Sequence, residues 1–102
     1  MAASYLELDY PLVKACLNRQ KFAWEDFVDR FMDLVLHVID HTAEKRGIDL
    51  KEDERIELCE AIFRSFRYND YQLLREFGFN CAVSTYLTVL ARRLAVAFLL
   101  GN

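Results

Sequence analysis

Between Ala23 and Arg46, side chains suited to burial recur every third or fourth residue. Trp24, Phe27, Val28, Phe31, Val35, Val38, Ile39 and Thr42 fall on one face, while Asp26, Asp29, Arg30, Asp33, Asp40 and Glu44 fall largely on the other. That step fits the 3.6-residue turn of an α-helix and not the two-residue alternation of a strand. A helix this long with a single apolar stripe must bury the stripe against other elements. Gly47 supplies its stop, because glycine accepts the left-handed conformation that ends many helices.

The rest of the chain supplies the partners. Asp9-Tyr10-Pro11 reads as the start of a short helix, with Asp9 as cap and Pro11 in the first turn, where a missing N–H costs nothing. Leu12, Ala15 and Cys16 are its apolar stripe. Asp49 followed by Glu52 resembles a capping box and opens a further helix. Ile56, Cys59, Ile62, Phe63 and Phe66 are the inward stripe of that helix, and Glu54, Glu57, Glu60, Arg64 and Arg67 its outer face. Asn69-Asp70 breaks it, Tyr71 to Phe77 adds a turn or two, and residues 78–80 form a loop. A last helix runs from about Ala82 to Leu100, with Val83, Tyr86, Leu87, Leu90, Leu94 and Phe98 inward. The expectation is an all-α fold: a compact bundle of three main helices with short accessory helices. Residues 1–22 form a lead-in and residues 23–102 the domain. Trp24, Phe27, Phe31, Val35, Ile62, Phe63, Tyr86, Leu87 and Leu90 should share one core.

Composition narrows the function. Three glycines and one proline in 102 residues are too few for a many-turned β protein. Sixteen acids against thirteen lysines and arginines give a net charge of −3, so a free-standing nucleic-acid binder with a general basic excess is not expected. Cys16, Cys59 and Cys81 are odd in number and far apart, which reads as reduced thiols of a cytoplasmic protein and not as a zinc ribbon. The start lacks a basic stretch followed by an apolar one, so no signal peptide is expected. Thr85, Thr88, Arg92 and Arg93 interrupt the last helix, and spanning a bilayer takes roughly 20 apolar residues.

Catalytic and metal chemistry find little footing. His37 and His41 are spaced to share a metal, but Val38 stands where a zinc-protease pattern needs Glu, and no third ligand is evident. Surface histidines are the reading, with no metal and no cofactor. The carboxylates lie on outer helix faces, Cys81 has no histidine partner, and no glycine-rich phosphate loop exists, so an enzyme is not expected. Phe77, Phe79 and Tyr86 flank the loop before the last helix. Beside arginines they could stack on unpaired bases; the alternative, which periodicity favours, is that Phe77 and Tyr86 bury into the bundle.

Three stretches in order, "WEDFVDRFMDLVLHVIDHTA", "DERIELCEAIFRSF" and "STYLTVLARRLAV", closely resemble region 2 of sigma-70 family RNA polymerase sigma factors. The nearest likeness is to the extracytoplasmic-function-like members abundant in planctomycete bacteria, over about Trp24 to Val96. The resemblance implies a transcription initiation module. Its second helix would dock on the clamp coiled coil of the polymerase β′ subunit, where Glu57, Glu60, Arg64 and Arg67 are the exposed charges. Its loop and last helix would take the non-template single strand of the melted minus-ten promoter element, through Arg75, Phe77, Phe79, Asn80, Tyr86, Thr88, Arg92 and Arg93. Repaying the few kcal/mol needed to flip a base out requires an aromatic pocket and backbone contacts.

The chain also departs from that pattern. Glu60 precedes Ala61 where relatives have the acid one position later, about 100° around a helix. The loop reads Gly78-Phe79-Asn80-Cys81 where relatives carry basic and small polar residues, and Ala97-Phe98-Leu99-Leu100 replaces further basic ones. The sequence to Asn102 holds no second DNA-binding domain of the region 4 type, so the expectation is either a shortened chain or a stand-alone derivative. The departures motivate an alternative: a sigma-like interaction domain that binds polymerase or a regulator, such as an anti-sigma factor, without reading DNA. Val96, Leu99 and Leu100 make an apolar end that a second copy of the chain could cover.

Overall fold

Four helices follow one another in the computed structural model, which describes residues 2–101 and the side chains of residues 9–101: α1 (Ala2–Leu17), α2 (Ala23–Lys45), α3 (Glu52–Arg75) and α4 (Val83–Leu99). The fold is an all-α bundle, with no strand among the described residues. Phe27, Phe31, Val35 and Ile39, each four residues after the last, are fully buried along α2. α4 answers with Leu87, Ala91 and Ala95, where the two alanines leave room for the large α2 side chains. From α3 come Ile62, Phe63 and Phe66, and the Phe27 ring meets the Phe66 ring edge-on at 6.3 Å. Burying one such side chain contributes about 1.5–3 kcal/mol. Of the nine residues expected in the core, Phe27, Phe31, Val35, Ile62, Phe63 and Leu87 are buried, while Trp24, Tyr86 and Leu90 pack against it half-buried.

The first helix differs from the sequence reading. It is not a short helix capped by Asp9: it begins at Ala2, and both Asp9 and Pro11 lie inside it. Asp9 is 2 % exposed and accepts hydrogen bonds from Arg30 of α2, at 3.1 Å from Nε and 3.4 Å from Nη2. An ion pair whose carboxylate is buried, not a cap, is why an aspartate stands there. Val13 and Cys16 belong to the same core as α2–α4.

The start of α3 also moves. The N-cap is Lys51, whose N–H donates to the Glu54 carboxylate at 3.0 Å, so the Asp49–Glu52 pair does not form the cap. Leu50, half-buried against the core, fixes the entry. At the other end of α2, Gly47 adopts φ +66°, and the Ile48 and Gly47 N–H groups donate to Ala43 O and Glu44 O, closing the helix as expected.

α3 is broken where Asn69-Asp70 predicts. Tyr68 is extended, and Asn69, Asp70 and Tyr71 have φ of 55°, 57° and 60°. Asn and Asp tolerate this left-handed region, whereas for tyrosine it costs roughly 1–2 kcal/mol. Burial of Tyr71 against Trp24, with ring centroids 5.8 Å apart, offsets that cost. Arg19 pairs with Asp70 from the α1–α2 turn, and Arg75 reaches Asp70 and the Leu17 carbonyl.

Two apolar positions expected inside face outward. Ile56 is 48 % exposed, and Phe98 is 41 % exposed beside the α3 break, where Tyr68 and Leu73 leave a groove open. Of the apolar end Val96, Leu99 and Leu100, only Leu100 is exposed, because Leu99 packs on the core.

Candidate functional site

A concavity of about 680 Å³ runs between α2 and α3. Trp24, Val28, Met32 and Leu36 reach its floor because they sit four apart, one strip to the side of the fully buried row of α2. Ile56, Cys59 and Phe63 meet them from α3, so the exposure of Ile56 is exposure into this groove. The floor is tightly built. Trp24 stacks on Phe27 at 5.5 Å and meets Phe63 edge-on at 6.1 Å, and the Cys59 thiol points at the Met32 sulfur, 3.4 Å away.

Charges rim this apolar floor. Glu60, Arg64 and Arg67, three of the four positions expected to meet a protein partner, line the groove. Glu57 is exposed on α3 but does not line it. None of the four forms an ion pair among the described residues, and Arg67 instead lies over the Trp24 ring at 5.3 Å. Arg55, at one end, is held by Asp40 at 2.7 Å and Glu52 at 3.4 Å. The groove therefore offers an apolar strip between unneutralised charges of both signs.

The residues expected at a nucleic acid divide differently. Phe77 is buried and packs on Phe79 at 4.7 Å and Tyr86 at 4.9 Å. The Tyr10 ring closes the cluster, 5.0 Å from Phe79, and the Tyr86 hydroxyl donates to Leu73 O at 2.6 Å. Burial pushes the Tyr86 phenol above its ordinary pKa. These aromatics pack on one another and on Tyr10 around the loop, with Phe77 buried and Phe79 and Tyr86 half-buried. The burial that periodicity favours holds fully for Phe77 and in part for Tyr86.

The polar members are also spread out. The Thr88 hydroxyl donates to Ser84 O in its own helix at 2.7 Å, and Asn80 is exposed on the loop. Arg75 is engaged near the start of α2, by Asp70 and Leu17. Arg92 lies near the opposite end of α2, beside His41, Lys45 and Arg46. The 23 residues of α2 span about 34 Å at 1.5 Å per residue, so Arg75 and Arg92 do not form one patch. Arg92 and Arg93 are both exposed, one helical step apart.

Sequence reasoning missed Tyr10, the Asp9–Arg30 pair and the association of Arg92 with the end of α2. The i, i+4 row of Trp24, Val28, Met32 and Leu36 was a readable signal for the groove. The other contacts join distant segments and left no local trace. His37 and His41 are exposed with ring centroids 6.3 Å apart, and the described residues hold no group of three His, Cys, Asp or Glu placed for a metal. No described helix is long and apolar enough to cross a membrane.

Fold and groove together define an all-helical bundle that carries an amphipathic groove on its second and third helices. No protein-family model matches the chain, nor does any curated protein or solved structure.

Proposed function

We propose that the chain is a transcription initiation module of the sigma region 2 kind, acting in the cytoplasm and docking on the RNA polymerase core through α3. The single observation that carries the reading is the uncovered α2–α3 groove, with Ile56 on its floor and Glu60, Arg64 and Arg67 along its rim. A helical partner such as the β′ clamp coiled coil would lay an apolar stripe on that floor and pair its flanking charges with the rim. Desolvating the strip would supply affinity, and the mixed rim charges would set register and on-rate. The loop and α4 would then face the melted minus-ten strand, with Arg92 and Arg93 as cations.

One observation favours a second reading, in which the chain binds polymerase or a regulator without reading DNA: Phe77, Phe79 and Tyr86 are tied into internal packing. Binding to core polymerase and to single-stranded minus-ten DNA, measured separately, distinguishes them. Initiation by the module requires both, the latter at least when polymerase is present. Core binding without any contribution to strand capture selects the second reading. Absence of core binding defeats the first. Reversing Glu57 and Arg64 together should weaken core binding while leaving stability within about 0.5 kcal/mol, as for ordinary surface changes.

A further inference from the structure

We infer a phosphate-binding cleft where the last turns of α2 meet α4, away from the α2–α3 groove. His41, Thr42, Lys45, Arg46, Arg92 and Val96 line a concavity of about 510 Å³. No carboxylate is among them, in a chain with sixteen acids and thirteen lysines and arginines.

Most other cations have a task. Arg19, Arg30, Arg55 and Arg75 pair with carboxylates, and Lys14, Lys21 and Arg67 lie over aromatic rings. Lys45, Arg46 and Arg92 make neither kind of contact among the described residues. The nearest acids on the same turns of α2, Asp40 and Glu44, line a different depression, and Asp40 is bonded to Arg55.

Attraction of cations to a helix C-terminus explains part of this. It accounts for Lys45 and Arg46, although the carbonyls of Ala43 and Glu44 already accept N–H bonds from Arg46, Gly47 and Ile48. It does not account for Arg92, which arrives on a separate helix. A concave wall with one sign of charge concentrates an anion. Arginine offers a planar fork matched to phosphate oxygens and lysine a point charge, while His41 and Thr42 complete the lining.

The ligand chemistry is a phosphate group, supplied either as a free ion or by the backbone of a nucleic-acid strand. The strand form rests on the function proposed above, with this cleft holding the backbone while α3 holds polymerase. The free-ion form does not.

Backbone amide chemical shifts, followed while inorganic phosphate is titrated against chloride at matched ionic strength, test the cleft. A single-stranded oligonucleotide is the second arm. Phosphate, and not chloride, should move residues 41–46 and Arg92. The Lys45→Gln/Arg92→Gln protein should lose those shifts while keeping its melting temperature. Lys21→Gln, at the other end of α2, and the charge-retaining Arg92→Lys should keep them. If the strand is the ligand, the double variant should lower the salt slope of oligonucleotide binding by about 1.4, at roughly 0.7 per phosphate contact. Response to phosphate alone assigns the cleft to a free ion. Equal responses to phosphate and chloride, or shifts that survive the double variant, overturn it. The double variant should bind core polymerase as the parent does. A parent that ignores polymerase but binds phosphate here leaves the cleft standing and removes the function above.

Discussion

Tyr10 of α1 pins the loop that leads into α4: its hydroxyl oxygen lies 2.9 Å from the carbonyl oxygens of both Phe79 and Cys81. One proton serves two acceptors, so the contact holds the loop between them and not at a single point. Phe79 adopts φ 54° here, a conformation a free loop would avoid. Tyr10→Phe keeps the ring packing and removes the donor. It should cost about 1 kcal/mol in denaturant unfolding and speed amide exchange in residues 78–82 more than elsewhere. Unchanged exchange in the loop would mean that the ring alone holds it.

The Asp9–Arg30 pair is asymmetric, since Asp9 is buried while the Arg30 side chain is 47 % exposed. Arg30→Gln strands a carboxylate in the core boundary and should cost about 2–3 kcal/mol, below the figure for a fully buried pair because Arg30 is half in water. Asp9→Asn leaves a neutral group that can still accept from Arg30 and should cost less. Urea denaturation of both proteins gives the comparison, and the reverse order would contradict the assignment of Asp9 as the desolvated partner.

Arg19, and secondarily Arg75, hold the Asp70 carboxyl below its usual pKa. A depressed native value means that this carboxylate contributes stability above the ordinary carboxylate range. That contribution fades as pH falls through the native value. Melting temperature followed from neutral to acid pH should therefore drop less in Asp70→Asn than in the parent. Parallel curves would show that the pair on the α3 break is silent.

Burial pushes the Cys16 thiol up to about 11 and the Cys59 thiol upward as well, while Cys81 is half-exposed. A raised native pKa leaves the neutral thiol's contribution to stability intact below about pH 9, the ordinary value for Cys16, and removes it as pH climbs towards 11. At neutral pH a thiol reagent should modify Cys81 first, with Cys16 and Cys59 reacting only as the protein unfolds. Mass spectrometry of the early product locates the label. Early modification of Cys16 would contradict its burial.

Much of this architecture is legible in the sequence where the signal is local. The α2 stripe, the Gly47 stop, the Asn69-Asp70 break and the bounds of α4 within a residue or so all follow from periodicity and turn chemistry. The failures share a cause. Asp9 and Pro11 look like a helix start only while Arg30 is unknown, and Ile56 and Phe98 look buried only until it is clear that no helix covers their face. The site divides in the same way. The exposed charges of α3 follow from helix period, whereas Arg75 and Arg92 fall at opposite ends of α2 for reasons that lie in tertiary contacts.

The most direct measurement places a photo-crosslinking residue at Ile56, on the groove floor, and separately at Phe98, on the α3–α4 face, and mixes each protein with core polymerase. Docking through the α2–α3 groove should give a crosslink to the β′ subunit from position 56 and little or none from position 98. No crosslink from 56, or a stronger one from 98, would contradict docking through this groove.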